Sequence, residues 1–218
     1  MSDIATLKDQ DDHFWNRVRS ALGALRPQKR EKLPAYGQAA IARSIGMKPR
    51  LGARIDEELA AGWRSAAGRN VSLSLIVVEI DRFADYFTAY GRGATDDCLA
   101  AVQQAITETL PRPGDSCLRM GRAGFVIVLP DLPVLMARAT AGKIADAVRA
   151  QGLAHKESHA GMVTVSQGLA VANPAGHYDR KFFEAAAEAL KKTQRRGMGR
   201  IEAVDLRPTQ KNKKRKAA

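Results

Sequence analysis

The sequence predicts an α/β fold, an α+β sandwich of the ferredoxin-like kind with one central sheet flanked by helices, over residues 71–206. Three observations predict it. Two long runs rich in β-branched residues, Val71 to Ile80 and Met162 to Val171, read as strands. Segments of helical periodicity alternate with them. A hydrophobic content of 45% in 218 residues suffices for one packed core plus an extension.

Val71 to Ile80 is densest in apolar residues at Leu75 to Val78, as in a strand buried on both faces. Two helices follow, Arg82 to Tyr90 and Thr95 to Leu110, the second with Leu99, Val102, Ile106 and Leu110 on one stripe. Pro111 and Pro113 stop it, Gly114 and Asp115 make a turn, and Cys117 to Met120 with Phe125 to Leu129 flank Gly121 to Gly124 as a hairpin. Asp131 to Gln151 is an amphipathic helix, Met162 to Val171 a strand, Asp179 to Arg195 a helix and Arg200 to Val204 a short last strand. The order is βααββαβαβ.

Residues 1–70 read as a helical extension and linker. Phe14, Val18, Leu22 and Leu25 line one helix, Pro27 to Pro34 is a charged linker, and Arg54 to Ala67 is a helix with Ile55, Leu59 and Trp63 on a stripe. Such a stripe is expected to form an interface, within the chain or in a homodimer, and these helices are the expected contact for a protein partner.

The net charge is +12, but its distribution matters more than its total. Residues 1–70 hold 13 basic and 8 acidic side chains, and residues 207–218 hold six basic and none acidic. Of the 35 basic and 23 acidic residues, that leaves 16 against 15 for residues 71–206, a nearly neutral domain. The basic tail 207–218 is either a solvated, disordered solubility element or a contact for nucleic acid or an anionic surface. Apolar stretches such as Phe125 to Leu129 fall far short of the roughly 20 residues of a membrane span. The acidic N-terminus lacks a signal-peptide pattern, so a cytoplasmic, bacterial-type location is expected. Cys98 and Cys117 lack metal-ligand or redox spacing and read as free structural thiols. His155 and His159 are one helical turn apart but fall in a polar segment, and with His13 and His177 they read as exposed loop histidines rather than a metal pair.

Several motifs carry a family resemblance. Glu79-Ile80-Asp81-Arg82-Phe83, then Phe87 to Asp96 around Tyr90-Gly91, keep the spacing of an Asp-x-Asp-x-Phe strand end running into Asn-Asp-x-Tyr-Gly-His-x-x-Gly-Asp. Val163 to Ala170 looks like Val-Thr-Val-Ser-x-Gly-x-Ala, and Ala189 to Gly197 like Ala-Leu-Tyr-x-Ala-Lys-x-x-Gly. Arg112 to Phe125 resembles the signature region of the GGDEF, or diguanylate cyclase-like, family, with Gly121, Arg122, Ala123, Gly124 and Phe125 at the five signature positions. The resemblance covers roughly residues 71–204 and implies the nucleotidyl-cyclase palm.

What it implies about activity is a degenerate, catalytically inactive domain. Joining two GTP molecules needs Mg²⁺ or a similar ion, and hard cations want several carboxylate oxygens. The family's metal-binding Asp becomes Glu79, and its signature acids become Ala123 and Gly124. Arg122 puts a bulky cation where a glycine lets backbone approach nucleotide. The guanine-reading Asn becomes Phe87 while its partner survives as Asp96. The triphosphate-binding Lys is Gln194, with Lys191, Lys192 and Arg195 nearby, and Ile45 to Arg50 is at best a remnant of a further family loop. No catalytic residue and no metal ligand set is assigned; Glu79, Asp96 and Gly121 to Phe125 form a vestigial active site.

The resemblance also implies a regulatory site. An Arg-x-x-Asp motif binds cyclic di-GMP in the family, and Arg112 and Asp115 stand at that spacing, with Ser116 to Met120 before Gly121. Arginine can pair bidentately with phosphate or a guanine edge, and a carboxylate can accept from guanine. By ungapped counting the second basic residue of that site is Lys143. The expected ligand is cyclic di-GMP, the expected role a receptor or signalling interaction module. The alternatives are a plain turn with a local ion pair, in a nucleotide-independent scaffold or nucleic-acid-associated protein, and a residual diguanylate cyclase.

Overall fold

The computed structural model describes residues 53–110 and 112–208. The stripe Phe14 to Leu25, the linker Pro27 to Pro34, the Ile45 to Arg50 remnant and nearly all of the basic tail lie outside the described residues. The elements run α1 (Ala53–Arg69), β1 (Leu73–Ile80), α2 (Phe83–Glu108), β2 (Ser116–Met120), β3 (Gly124–Pro130), α3 (Val134–Ala150), β4 (Val165–Ala172), α4 (Lys181–Arg195) and β5 (Ile201–Asp205).

The five strands form one sheet in the order β2-β3-β1-β4-β5. β1 is antiparallel to both β3 and β4, β2 is antiparallel to β3, and β4 is parallel to β5. The central strand is β1, which explains its nearly unbroken apolar run: with helices on both faces, neither set of alternating side chains can be polar. Ile76, Val78 and Ile80 join Phe125, Ile127 and Leu129 under α2 and α3. Leu73, Leu75 and Val77 join Val126 and Val128 under α1 and α4. The stripe Ile55, Leu59 and Trp63 of α1 is therefore an intramolecular interface, buried with Ala66 against the sheet and Phe182.

Two boundaries depart from the periodic pattern for local reasons. The two helices expected after β1 join into α2, interrupted at Gly91, whose φ of 76° and ψ of −175° no helix contains. The helix expected from Asp131 begins at Val134, because Asp131 adopts a left-handed φ of 56° and Pro133 is extended at the N-cap.

The reading of His155 as an exposed loop histidine is wrong. It is fully buried, with its ring edge-on to Tyr86 at 5.2 Å and Nε2 lying 3.3 Å from the Arg82 carbonyl oxygen. Tyr86 in turn stacks on Tyr90 at 4.6 Å. A bridge between Ala154 and Met162 folds the polar segment back, so its one buried ring fills space beside α2 while its neighbour His159 stays exposed. Cys98 and Cys117 are free, and burial pushes both thiols up to about 11. Among the described residues no helix is long and apolar enough to cross a membrane.

Candidate functional site

The sheet has two chemically different ends, set about 20 Å apart by the length of β3. One is the hairpin turn between β2 and β3. The other is the corner where Arg112 meets the last residues of β3.

At the hairpin end, Gly121, Arg122 and Ala123 make the turn, with Gly121 at a left-handed φ of 62° that relieves the strain of the reversal. Arg122 is exposed, and its carbonyl accepts from Arg119 Nη2 at 3.2 Å. Ala123 is buried, and its carbonyl accepts from the Ile80 amide at 3.0 Å, which ties the turn to the end of β1. Phe125 is fully buried in the core, with the Arg119 guanidinium 5.3 Å above its ring. Of the five signature positions, only Arg122 and Gly121 face solvent.

Glu79 and Gly124 are register partners across β1 and β3. Side chains at such partners stand on the same face about 5 Å apart, so a carboxylate at 124 would lie beside Glu79. The backbone closes that place. A Cβ on Gly124 would meet the Met120 carbonyl oxygen at 2.8 Å and the Val78 carbonyl oxygen at 3.3 Å. Glu79 Oε2 instead accepts from Gln194 Nε2 of α4 at 3.0 Å. This donor set does not fit a divalent cation: the Glu79 carboxylate is engaged by an amide, that of Asp81 by three other donors, and Ala123 and Gly124 supply no side-chain oxygen. Among the described residues no cluster of three potential metal ligands is present.

The other positions of that expected site are dispersed. Phe87 is exposed on the first half of α2, and Asp96 lies beyond the Gly91 break, where it forms an exposed ion pair with Arg92 at 3.7 Å. Lys192 pairs with Glu202, Lys191 with Glu188 at 3.0 Å and Arg195 with Glu188 at 3.9 Å, so all three basic residues near Gln194 are engaged with carboxylates.

Asp81 is the acid of this end that the sequence quoted without assigning it a task. It is 4% exposed and accepts from Thr164 Oγ1 at 2.7 Å, Ser166 Oγ at 2.5 Å and the Gly199 amide at 2.9 Å. Three donors replace the water that a buried carboxylate loses. The acid thereby pins the end of β1 to β4 and to the turn before β5. Asp81→Ala leaves the Thr164 and Ser166 hydroxyls without this acceptor, while the Gly199 amide keeps Ser166 Oγ at 3.1 Å, and is expected to cost about 3 kcal/mol, measured by urea denaturation.

At the opposite end, Arg112 Nη2 donates to Asp115 Oδ1 at 2.9 Å and to the Pro130 carbonyl oxygen at 2.7 Å, and Nη1 donates to the Asp131 carbonyl oxygen at 3.0 Å. The Asp115 side chain is only 3% exposed and that of Arg112 is 35% exposed. The structure thus brings Arg112 and Asp115 together, and seats the arginine on the β3 terminus as well. Lys143 is exposed on α3, nine positions and so about 13 Å along the axis past Val134, and makes no direct hydrogen bond to Asp115.

Residues 53–200 match the model of a family described as the diguanylate cyclase GGDEF domain. The chain belongs to the GGDEF family. This GGDEF domain is 29% identical over 130 residues to the diguanylate cyclase DosC of Escherichia coli K12, a match that covers 60% of this chain and 28% of DosC. It therefore spans less than a third of that curated relative. Its fold resembles the GGDEF domain of DgcB from Caulobacter crescentus in complex with cyclic di-GMP (TM-score 0.61, 24% identity, 68% of this chain and 87% of that one). It also resembles the diguanylate cyclase SiaD of Pseudomonas aeruginosa, in complex with its activator SiaC (TM-score 0.61, 21% identity, 92% of this chain and 72% of that one). Its five-stranded sheet flanked by helices is the sandwich expected from the sequence.

Proposed function

We propose that this GGDEF domain is catalytically inactive and serves as a cyclic di-GMP receptor, with Arg112 and Asp115 as the core of its ligand site. The observation that carries the reading is the contrast between the two ends of the sheet. At the hairpin, the carboxylates that two-metal chemistry needs are missing, and the backbone leaves no room for one at position 124. At the far corner an arginine and an acid stand together, and these are groups that can read a guanine edge. The ligand comes to this chain from the family resemblance and from the DgcB complex; what the latter supports is that a fold of this kind accommodates it.

Arg112 and Asp115 are the core contacts proposed, with Lys143 as the second basic residue of the site. Output through a protein partner belongs to the same reading, with SiaD and SiaC as the instance among fold neighbours. Incubation with GTP and Mg²⁺ or Mn²⁺, followed by chromatography, tests the first half: no cyclic di-GMP is expected, and its accumulation would make the domain a cyclase. Calorimetric titration with cyclic di-GMP tests the second, with saturable heat expected.

A further inference from the structure

We propose that Arg112 is a latch holding the corner between β3 and α3, and that a guanine ligand signals by drawing this guanidinium away, which loosens the end of α1. The proposal rests on the receptor reading and adds the route by which occupancy leaves the site.

The hydrogen-bond inventory of Arg112 forces a choice. A guanidinium offers two forks of parallel donors, Nε with Nη2 and Nη1 with Nη2. Both Nη2 hydrogens are taken, one by Asp115 and one by Pro130, while Nη1 serves Asp131. Neither fork is open. A guanine edge can be gripped bidentately only if at least one of these bonds is given up.

What Arg112 lets go is a left-handed corner. Asp131 holds a φ of 56°, which aspartate tolerates better than most residues and which local contacts hold in place. Three contacts fix it: its carbonyl accepts from Arg112, its amide donates to the Ser72 carbonyl oxygen at 2.8 Å, and its carboxylate pairs with Arg69 Nη2 at 3.2 Å. The next carbonyl, Leu132, accepts from Ser74 Oγ at 2.7 Å. Arg69 is the last residue of α1 and Ser72 directly precedes β1. The Arg69 pair is exposed and weak by itself. The amide bond to Ser72 is the firmer link, and it depends on the backbone conformation that Arg112 helps to hold. Losing Arg112 lets Asp131 relax and withdraws two partners from the segment that ends α1.

Hydrogen exchange on the full chain tests this, followed in peptides covering residues 66–74 and 129–134. Arg112→Ala is expected to speed exchange in both by roughly fivefold, the factor of one lost hydrogen bond. Arg69→Ala, at an exposed position, is expected to speed exchange in 129–134 and serves if Arg112→Ala does not fold. Saturating cyclic di-GMP should reproduce the Arg112→Ala pattern in the wild-type chain. Binding without faster exchange in 66–74 overturns the relay and leaves the receptor reading standing. Faster exchange in Arg112→Ala without any ligand binding upholds the mechanical link and overturns the receptor reading. Unchanged exchange in the single variants overturns the latch itself.

Discussion

Gly168→Ala is expected to destabilise the domain by about 4 kcal/mol or to prevent folding, an effect that a thermal or urea denaturation curve reads directly. Gly168 sits in β4 between β1 and β5, paired with Val77 on one side and Glu202 on the other. A Cβ there would lie 2.0 Å from the Ala186 carbonyl oxygen and 2.3 Å from the Leu190 amide nitrogen. Both are backbone atoms of α4, so no side-chain rotation relieves the overlap; the helix must lift off the sheet. Lifting α4 opens the cluster of Phe182, Phe183, Ala186 and Leu190 against Leu75 and Val77. It also carries away Gln194, the partner of Glu79. The glycine of the Val-Thr-Val-Ser-x-Gly-x-Ala match is thus a contact surface for a helix, which is why that position tolerates no side chain.

Gly124→Glu is the second substitution with a large effect, and its outcome separates two accounts of the hairpin end. If only side chains had been lost, returning an acid beside Glu79 would start to rebuild a metal site. The backbone predicts otherwise. The new Cβ would press on the Met120 carbonyl at 2.8 Å, and a carboxylate would enter a buried position. A cost of about 3 kcal/mol is expected from the overlap and the desolvated charge together. Even combined with Arg122→Gly and Ala123→Asp, it is expected to yield no cyclic di-GMP from GTP, because Gln194 and Phe87 still stand where the family's lysine and asparagine would. Denaturation of Gly124→Glu at wild-type stability, or product from the triple variant, would show that the hairpin retains the geometry of a cyclase.

Much of this was legible in the sequence, because it depends on residue type or on short-range pattern. The strand β1 announced itself through an apolar run that only a doubly covered strand carries. The side chains at Ala123 and Gly124 were readable as ones that bind no cation, since neither carries an oxygen. What stayed hidden depends on backbone groups brought in from far along the chain. The acceptors of Arg112 are the carbonyls of Pro130 and Asp131, 18 and 19 residues away, and a carbonyl leaves no mark in a sequence. The nearest signal was the run Pro130-Asp131-Leu132-Pro133, an aspartate between prolines, the kind of residue that tolerates a left-handed turn. The polar surroundings of His155 concealed a ring that packs on Tyr86.

The Arg112–Asp115 corner also changes what a loss-of-binding variant means. A charge-assisted hydrogen bond typically contributes 1.5–3 kcal/mol, so removing the guanidinium is expected to weaken cyclic di-GMP binding at least tenfold. The same change frees Asp115 and the two carbonyls, so stability must be measured alongside affinity. The decisive measurement is calorimetric titration of the wild-type chain and of folded Arg112→Ala with cyclic di-GMP. Saturable heat in the wild type, weakened at least tenfold in the variant, is the predicted result. No heat at a large excess of ligand, or binding that survives Arg112→Ala undiminished, would contradict the assignment of this corner as the receptor site.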